Sequence, residues 1–420
     1  MNNYILDLLN IKDKNIKIEE RIDIKTKNKT KIKVLHGSLT YIPEYCPKCG
    51  CVNEGTKDII KWGHKLSYIK IPKVSNLCTE LHLKKQRFLC KNCNDTFIAE
   101  TNLIEKNKNI SNNLNLKIRL ELMEKCSEKD IAKRNNVSAT TVNRIMDHIS
   151  KKSILRHQSL PTNMNWDEFK ATKDTKGKMA FIIVNNDNGE PFDILDSRKS
   201  KDLEIYFRRY PKKERDKVKF ICIDFYIGYI YIIKKLFKNA KIVIDKFHIV
   251  SQVHQALNSY RISLCNKNNP NYNKLKDYWK LILKDEYKLD DKKKFYSKHF
   301  HKEVTQKYIV NYLVNSNSEF KLVYNVYQGI LHAISNKDIA KFKSIIYNNQ
   351  FKNIKKLYNA FKTFKQNITY IENALTYNIN NGVIEGTNNL IKCIKRIAFG
   401  YRKFNHFISR IFLIKGMIKG

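Results

Sequence analysis

Two short cysteine pairs set the tightest limit on how this chain can fold. Cys46-Pro47-Lys48-Cys49-Gly50 and Cys90-Lys91-Asn92-Cys93 repeat one C-x-x-C spacing. Such a knuckle lets two thiolates reach one ion, and a glycine directly after it allows the left-handed turn that aims amides at the sulfurs. Four soft ligands in two pairs suit a single tetrahedral zinc ion. Residues 61–71 and 79–89 read as strands between the pairs, so the expectation is a zinc ribbon over 41–100 with Cys46, Cys49, Cys90 and Cys93 as ligands. Cys51, Cys78, His64 and His82 stand near enough in sequence to substitute. The ten cysteines, in a long chain whose first ten residues lack the pattern of a secretory signal, are expected as thiols or metal ligands rather than disulfides.

Downstream, 114–126 reads as a helix and Ser127 opens a second one, with Ile131 and Ala132 turned inward. Asn135-Asn136-Val137 supplies a turn, and Ser138 is placed to cap a third helix. On that helix Thr140, Thr141, Asn143 and Arg144 face outward while Val142 and Ile145 pack inward. This is the pattern of a helix-turn-helix over 110–150, whose second helix enters the major groove of duplex DNA. The charge agrees: 80 Lys and Arg against 40 Asp and Glu give a formal net charge of +40. Lysine enrichment is also what an AT-rich genome writes, but codon bias does not explain a twofold deficit of acids. With 42% hydrophobic and 11% aromatic residues the chain is too apolar for a disordered basic tail. Its most apolar run, 220–233, is interrupted by Asp224 and too short to span a membrane, so no membrane partner is expected.

A polar connector up to Pro161 precedes a change of pattern. Residues 163–169 form a strand candidate containing Asp167. Residues 179–184 and 191–195 flank the hairpin signal Asn185-Asn186-Asp187-Asn188-Gly189. A helix over 199–210, a strand ending at Asp224, a helix over 227–237 and a strand ending at Asp245 follow. Strands interleaved with helices imply a mixed α/β sheet. Three convergent carboxylates can hold two hard divalent cations, the arrangement that activates water and stabilises the leaving oxygen of a phosphodiester. Glu385, near the start of a long basic helix, supplies a third acid. Lys392 and Arg396, seven and eleven residues on, share its face.

Taken together, Trp166-Asp167-Glu168-Phe169, Ile223-Asp224-Phe225-Tyr226, 244–250, Asn381-Gly382-Val383-Ile384-Glu385-Gly386-Thr387-Asn388-Asn389 and the tail 391–402 make the chain resemble transposases of the bacterial ISL-three (ISL3) insertion-sequence family. The resemblance covers about residues 41–415. It implies a multidomain α+β protein: an N-terminal zinc ribbon, a helical helix-turn-helix domain, and an RNase H-like α/β catalytic core interrupted by an all-helical insertion. Asp167, Asp224 and Glu385 resemble the family's D-D-E triad for two Mg²⁺ (or Mn²⁺) ions. Asp245 and His248 match a supporting D-x-x-H motif. Glu168 adjoins the first acid, but alternation puts it on the opposite strand face. Asn165-Trp166 depart from the small or aliphatic residues more usual before that acid.

The implied domains are 1–40 of unknown role, 41–100, 110–150, 161–251, an insertion over 252–371 and a C-terminal part of the core over 372–420. The insertion is expected because 161 residues separate Asp224 from Glu385, against 57 between the two aspartates. Its aromatics, Trp279 among them, are expected as core. The implied partners are terminal inverted repeats and target DNA, contacted by the outward helix-turn-helix residues and by Lys392, Lys395 and Arg396, with at least a dimer at synapsis. The implied location is the cytoplasm, at the nucleoid when DNA-bound. A domesticated regulator that only binds DNA and an RNase H-like nuclease without strand transfer are the alternatives.

Overall fold

The computed structural model describes residues 2–418 except 28–29, 55–56, 153–156, 176, 352, 378 and 380–381. Part of the connector before Pro161 and three asparagines of the motif around Glu385, Asn378, Asn380 and Asn381, therefore lie outside the described residues. The chain divides into two compact units, one of residues 1–154 with 391–420 and one of residues 155–390. No helix among the described residues is long and apolar enough to cross a membrane.

The first unit opens with helix α1 (Asn2–Leu8) and the strands β1 (Ile16–Lys27), β2 (Thr30–Leu39), β3 (Ile59–Val74), β4 (Leu77–Cys90) and β5 (Thr96–Ile98). The sheet runs β1-β2-β4-β3, with β5 paired to β4. The hairpin expected between the cysteine pairs is β3–β4, turning through Ser75 and Asn76 at positive φ. The first forty residues carry a structural role that their sequence did not reveal: β2 lies parallel to β4, with Ile32 opposite Cys78 and Leu39 opposite Lys85. Ile16, Leu39, Ile69, Leu81 and Leu83 are buried together on one face.

Three helices follow, α2 (Asn112–Glu121), α3 (Glu128–Arg134) and α4 (Ala139–Lys152). Ser127 accepts the Asp130 amide and Ser138 the Thr141 amide, as their cap positions require. Leu114, Ile118, Ile131, Val142, Ile145 and Met146 form their common core.

The second unit carries a sheet of β6 (Asn163–Lys170), β7 (Met179–Asn185), β8 (Pro191–Leu195), β9 (Phe220–Ile223) and β10 (Lys241–Ile244), in the order β10-β9-β6-β7-β8. β6, β7 and β8 are antiparallel neighbours, while β9 and β10 run parallel to β6. Helices α5 (Ser200–Arg208), α6 (Lys212–Arg215) and α7 (Ile227–Leu236) connect these strands. Trp166, the unusual residue before Asp167, proves to be the hub of this core. It stacks on Phe207 at 4.8 Å and meets Phe181, Tyr229 and Phe237 edge-on.

Beyond β10 come α8 (Lys246–Leu264), α9 (Tyr272–Asp277), α10 (Trp279–Ile282), the strands β11 (Phe295–Ser297) and β12 (Lys302–Val304), then α11 (Gln306–Val314), α12 (Ser318–Ser335), α13 (Ile339–Tyr347), α14 (Lys355–Gln366) and α15 (Ile368–Thr376). The segment is thus not all-helical: β11 and β12 pair antiparallel. Their turn lacks the glycine or asparagine that marks hairpins, and His301 takes its left-handed position with φ 48°. Residue 252 falls inside the continuous helix α8. Trp279, expected in the core, is 39% exposed, whereas Phe320, Phe342 and Phe364 are fully buried. These helices and the sheet share one continuous apolar core.

Helix α16 (Gly382–Ile397) begins in the second unit and ends in the first, and α17 (Phe404–Ile414) belongs to the first. Residues 391–420 thus belong to a different compact unit from residues 372–390, with which the sequence grouped them. Leu413 enters the helix-turn-helix core. Arg410, 1% exposed, donates to the carbonyls of Leu122, Glu124 and Cys126 at the end of α2. Asp147 on α4 accepts from His406 at 2.7 Å and Lys403 at 2.8 Å.

Candidate active site and metal centre

The four paired cysteines converge. Cys46 Sγ lies 3.8 Å from Cys93 Sγ, Cys49 Sγ lies 3.7 Å from Cys90 Sγ, and all four sulfurs are within 4.8 Å of one another. The two knuckles repeat one backbone design. Cys46 N–H donates to Cys51 O at 2.8 Å, and Cys90 N–H to Asp95 O at 3.0 Å. Gly50 (φ 75°) and Asn94 (φ 54°) take the equivalent left-handed positions. The Cys51 amide draws the Cys49 thiol down to about 6, so a thiolate is available near neutral pH. The cluster could hold a metal ion. Cys51, Cys78, His64 and His82 are not part of it.

In the second unit the sheet register organises the acids. β6 pairs with β9 with Asn165 opposite Cys222, so two residues further along Asp167 stands level with Asp224. β9 pairs with β10 with Ile223 opposite Ile244, which places Asp245 level with Asp224 on the other side. Alternation puts all three on one face: Trp166, Ile223 and Ile244 point into the large core, and Cys222 and Val243 into the opposite layer with Ala374. The sheet therefore carries a row of three carboxylates on adjacent parallel strands, Asp167 within β6 and Asp224 and Asp245 directly after β9 and β10, whose C-terminal ends are where open α/β sheets bind ligands.

Glu168 faces the other way, paired with Arg198 at 2.5 Å and with Tyr229 OH at 3.4 Å. Burial pushes the Asp167 carboxyl up, opposed by the Glu168 amide and Asn388, and burial likewise pushes Asp224 up. Asp245 caps α8 through the Phe247 amide, and His248 Nε2 sits 3.8 Å from its carboxylate.

Glu385 lies exposed in the first turn of α16. One turn later Asn388 donates to Asp167 Oδ2 at 2.6 Å, linking the helix of Glu385 to the row of acids. Asp167, Asp224 and Glu385 do not themselves form a close-packed cluster like that of the cysteines. Asn388 was not singled out from the sequence, although its i+3 spacing from Glu385 was a usable signal. Lys392 and Arg396 are exposed, and Lys395 lies 5.4 Å over the Phe407 ring.

On α4, Thr140 and Arg144 are exposed. Thr141 and Asn143 are half-buried: the Thr141 hydroxyl pairs with Ser138 and the Asn143 amide with Ala139 O. A family model described as "Helix-turn-helix domain of transposase family ISL3" matches residues 99–150. A second, described as "Transposase", matches residues 165–411, more than half of the chain. The chain belongs to the ISL3 transposase family. Among relatives of this ISL3 member, a "Transposase for insertion sequence element IS1001" from Bordetella parapertussis is 21% identical over 342 residues, covering 79% of this chain and 80% of that protein. An "ATP-dependent protease" from Lactococcus lactis subsp. lactis is 32% identical over 114 residues, 27% of this chain. The chain spans only 36% of that relative's length.

Proposed function

We propose that this ISL3-family protein binds the terminal inverted repeats of an insertion sequence and carries out metal-dependent DNA cleavage and strand transfer. The observation that carries this reading is the carboxylate row on three adjacent parallel strands, joined to the helix of Glu385 through Asn388. The sheet order, three antiparallel strands followed by two parallel ones, supports an RNase H-like core that is built on β6 to β10 and completed by the first turns of α16, with an insertion between them.

Asp167, Asp224 and Glu385 would hold two Mg²⁺ or Mn²⁺ ions. Hard oxygen donors suit these cations, and a cation's charge would offset the burial that pushes both aspartates up. Such ions, when bound, activate a water or 3′-hydroxyl and stabilise the leaving oxygen. Asn388 orients Asp167, and Asp245 with His248 supports the row. Lys392, Lys395 and Arg396 take backbone phosphates.

In the other unit, the sulfur separations of 3.7 and 3.8 Å support zinc. A Zn–S bond of about 2.3 Å gives a tetrahedral edge of about 3.8 Å. The ribbon (41–100) and helix-turn-helix (110–150) recognise the ends, with Thr140 and Arg144 best presented to bases and Thr141 and Asn143 beside them. Two-ended chemistry calls for at least a dimer at synapsis, in the cytoplasm where the chromosome is reached.

The test is incubation with inverted-repeat DNA and Mg²⁺. Strand transfer is expected from the native chain, and binding without cleavage from Asp224→Asn. Cleavage without joining would make it a nuclease, and binding alone by the native chain a regulator. Normal cleavage by Asp224→Asn would sink the assignment of the acids.

A further inference from the structure

Between β10 and α16 some aromatic side chains are core, Phe320, Phe342 and Phe364 among them, and others are exposed; α11 presents two exposed ones side by side. It buries Ile309, Val310 and Leu313 on one face and leaves Tyr308 and Tyr312 about 40% exposed on the other. Their rings lie 6.5 Å apart and within 22° of parallel, each braced edge-on by Phe300 at 5.8 and 5.0 Å. Each ring also has an ammonium beside it. Lys302 Nζ is 2.8 Å from the Tyr308 hydroxyl and 4.5 Å from its ring centre, and Lys274 Nζ is 5.3 Å from the centre of Tyr312. Among the described residues the hydrogen-bond partners of these lysines are neutral, the Tyr308 hydroxyl for Lys302 and the Asn271 amide oxygen for Lys274. The two tyrosines border an open depression of about 470 Å³ whose other lining groups, Asn311, Asn315 and Ser316, are polar.

We propose that this face of α11 is a stacking platform for an unpaired DNA strand. Exposed ring faces serve bases that have left the duplex, because the bases of a duplex already stack on one another. The lysines lying over the rings supply the counter-charge for the backbone of the same strand and can move to it as a base stacks, and the asparagine amides offer donors and acceptors to any base edge. A protein partner would have to bring carboxylates to two ammoniums that lie over the rings. The choice of DNA rests on the DNA-binding reading above, whereas the platform itself does not depend on cleavage.

The full chain would be mixed with a short oligodeoxythymidylate carrying one 2-aminopurine, and fluorescence and anisotropy followed. Stacking quenches the probe in the native protein and in Tyr308→Phe/Tyr312→Phe. In Tyr308→Ala/Tyr312→Ala the quench is lost and affinity for the oligonucleotide falls roughly tenfold, while affinity for duplex DNA stays within twofold. Native-like quenching and affinity in the alanine pair would overturn the proposal. So would equal weakening of single-strand and duplex binding. Photo-cross-linking of a 5-iododeoxyuridine strand to the unmutated chain covers a folding failure: adducts on the peptide of Tyr308 and Tyr312 support the platform, and adducts only elsewhere refute it. Loss of cleavage in Asp224→Asn is scored separately, so failure of the platform and failure of the transposase reading give different results.

Discussion

Replacing Arg410 with alanine should weaken the DNA-binding unit, although residue 410 lies far along the chain from the helix-turn-helix. The side chain is 1% exposed and donates to three main-chain carbonyls at the end of α2, of Leu122, Glu124 and Cys126. Only the Leu122 carbonyl is in a fully buried setting, and the other two can recruit water once the guanidinium is gone. An unmet buried carbonyl costs about 1–3 kcal/mol, and two partly hydrated ones about 0.5–1 kcal/mol each, so the loss is about 3 kcal/mol. For a unit of roughly 180 residues that corresponds to a fall in Tm of about 6–12 °C. Arg410→Lys should lie between, since one ammonium cannot fork to three carbonyls. Thermal unfolding followed by circular dichroism, with duplex binding measured by anisotropy, provides the assay. An unchanged Tm together with native duplex affinity in Arg410→Ala would refute the claim that α17 is part of the helix-turn-helix core.

Three further outcomes follow from other sites. Burial raises the Asp167 and Asp224 carboxyls above the ordinary 3.8. Their stabilising contribution is therefore full below that value and lost as pH rises through the folded-state pKa. In EDTA at neutral pH, Asp224→Asn should melt higher than native while losing cleavage, with the gap closing toward pH 3; a lower Tm at neutral pH contradicts this. Cys90→Ser should drop bound zinc from one ion per chain to near none by elemental analysis and lower the stability of the first unit; retained stoichiometry would exclude the four-cysteine site. Trp166→Ala should cost about 3–5 kcal/mol in chemical denaturation. Trp166→Phe should cost clearly less, because among the described residues the buried indole N–H has no hydrogen-bond partner to lose; equal costs would argue against that account.

What was legible in the sequence depended on how local its cause is. The caps Ser127 and Ser138, the β3–β4 hairpin and the cysteine knuckles are set by residues within a few positions of one another, and they formed as the spacing indicated. The row of acids was half legible. Asp167 inside a strand and Asp224 and Asp245 at strand ends could be picked out, but their common level is set by pairing between strands, which no single segment encodes. The same holds for β1 and β2: alternation marks a strand but does not name its partner, and the partner of Ile32 is Cys78. Arg410 was missed because a lone arginine in an apolar helix reads as an exposed charge until the carbonyls it serves are seen.

The joining of α17 to α4 has a temporal consequence. The contact between Asp147 and His406 spans 259 residues. At roughly 5–20 residues per second, a ribosome needs on the order of 13–50 seconds to cover that distance. Throughout this interval the newly made helix-turn-helix has its apolar surface, where Leu413 will sit, without its cover. A frameshifted or decayed copy of the reading frame that stops before α17 would leave that surface uncovered for good. Such remnants would compete poorly for DNA with chains that carry α17.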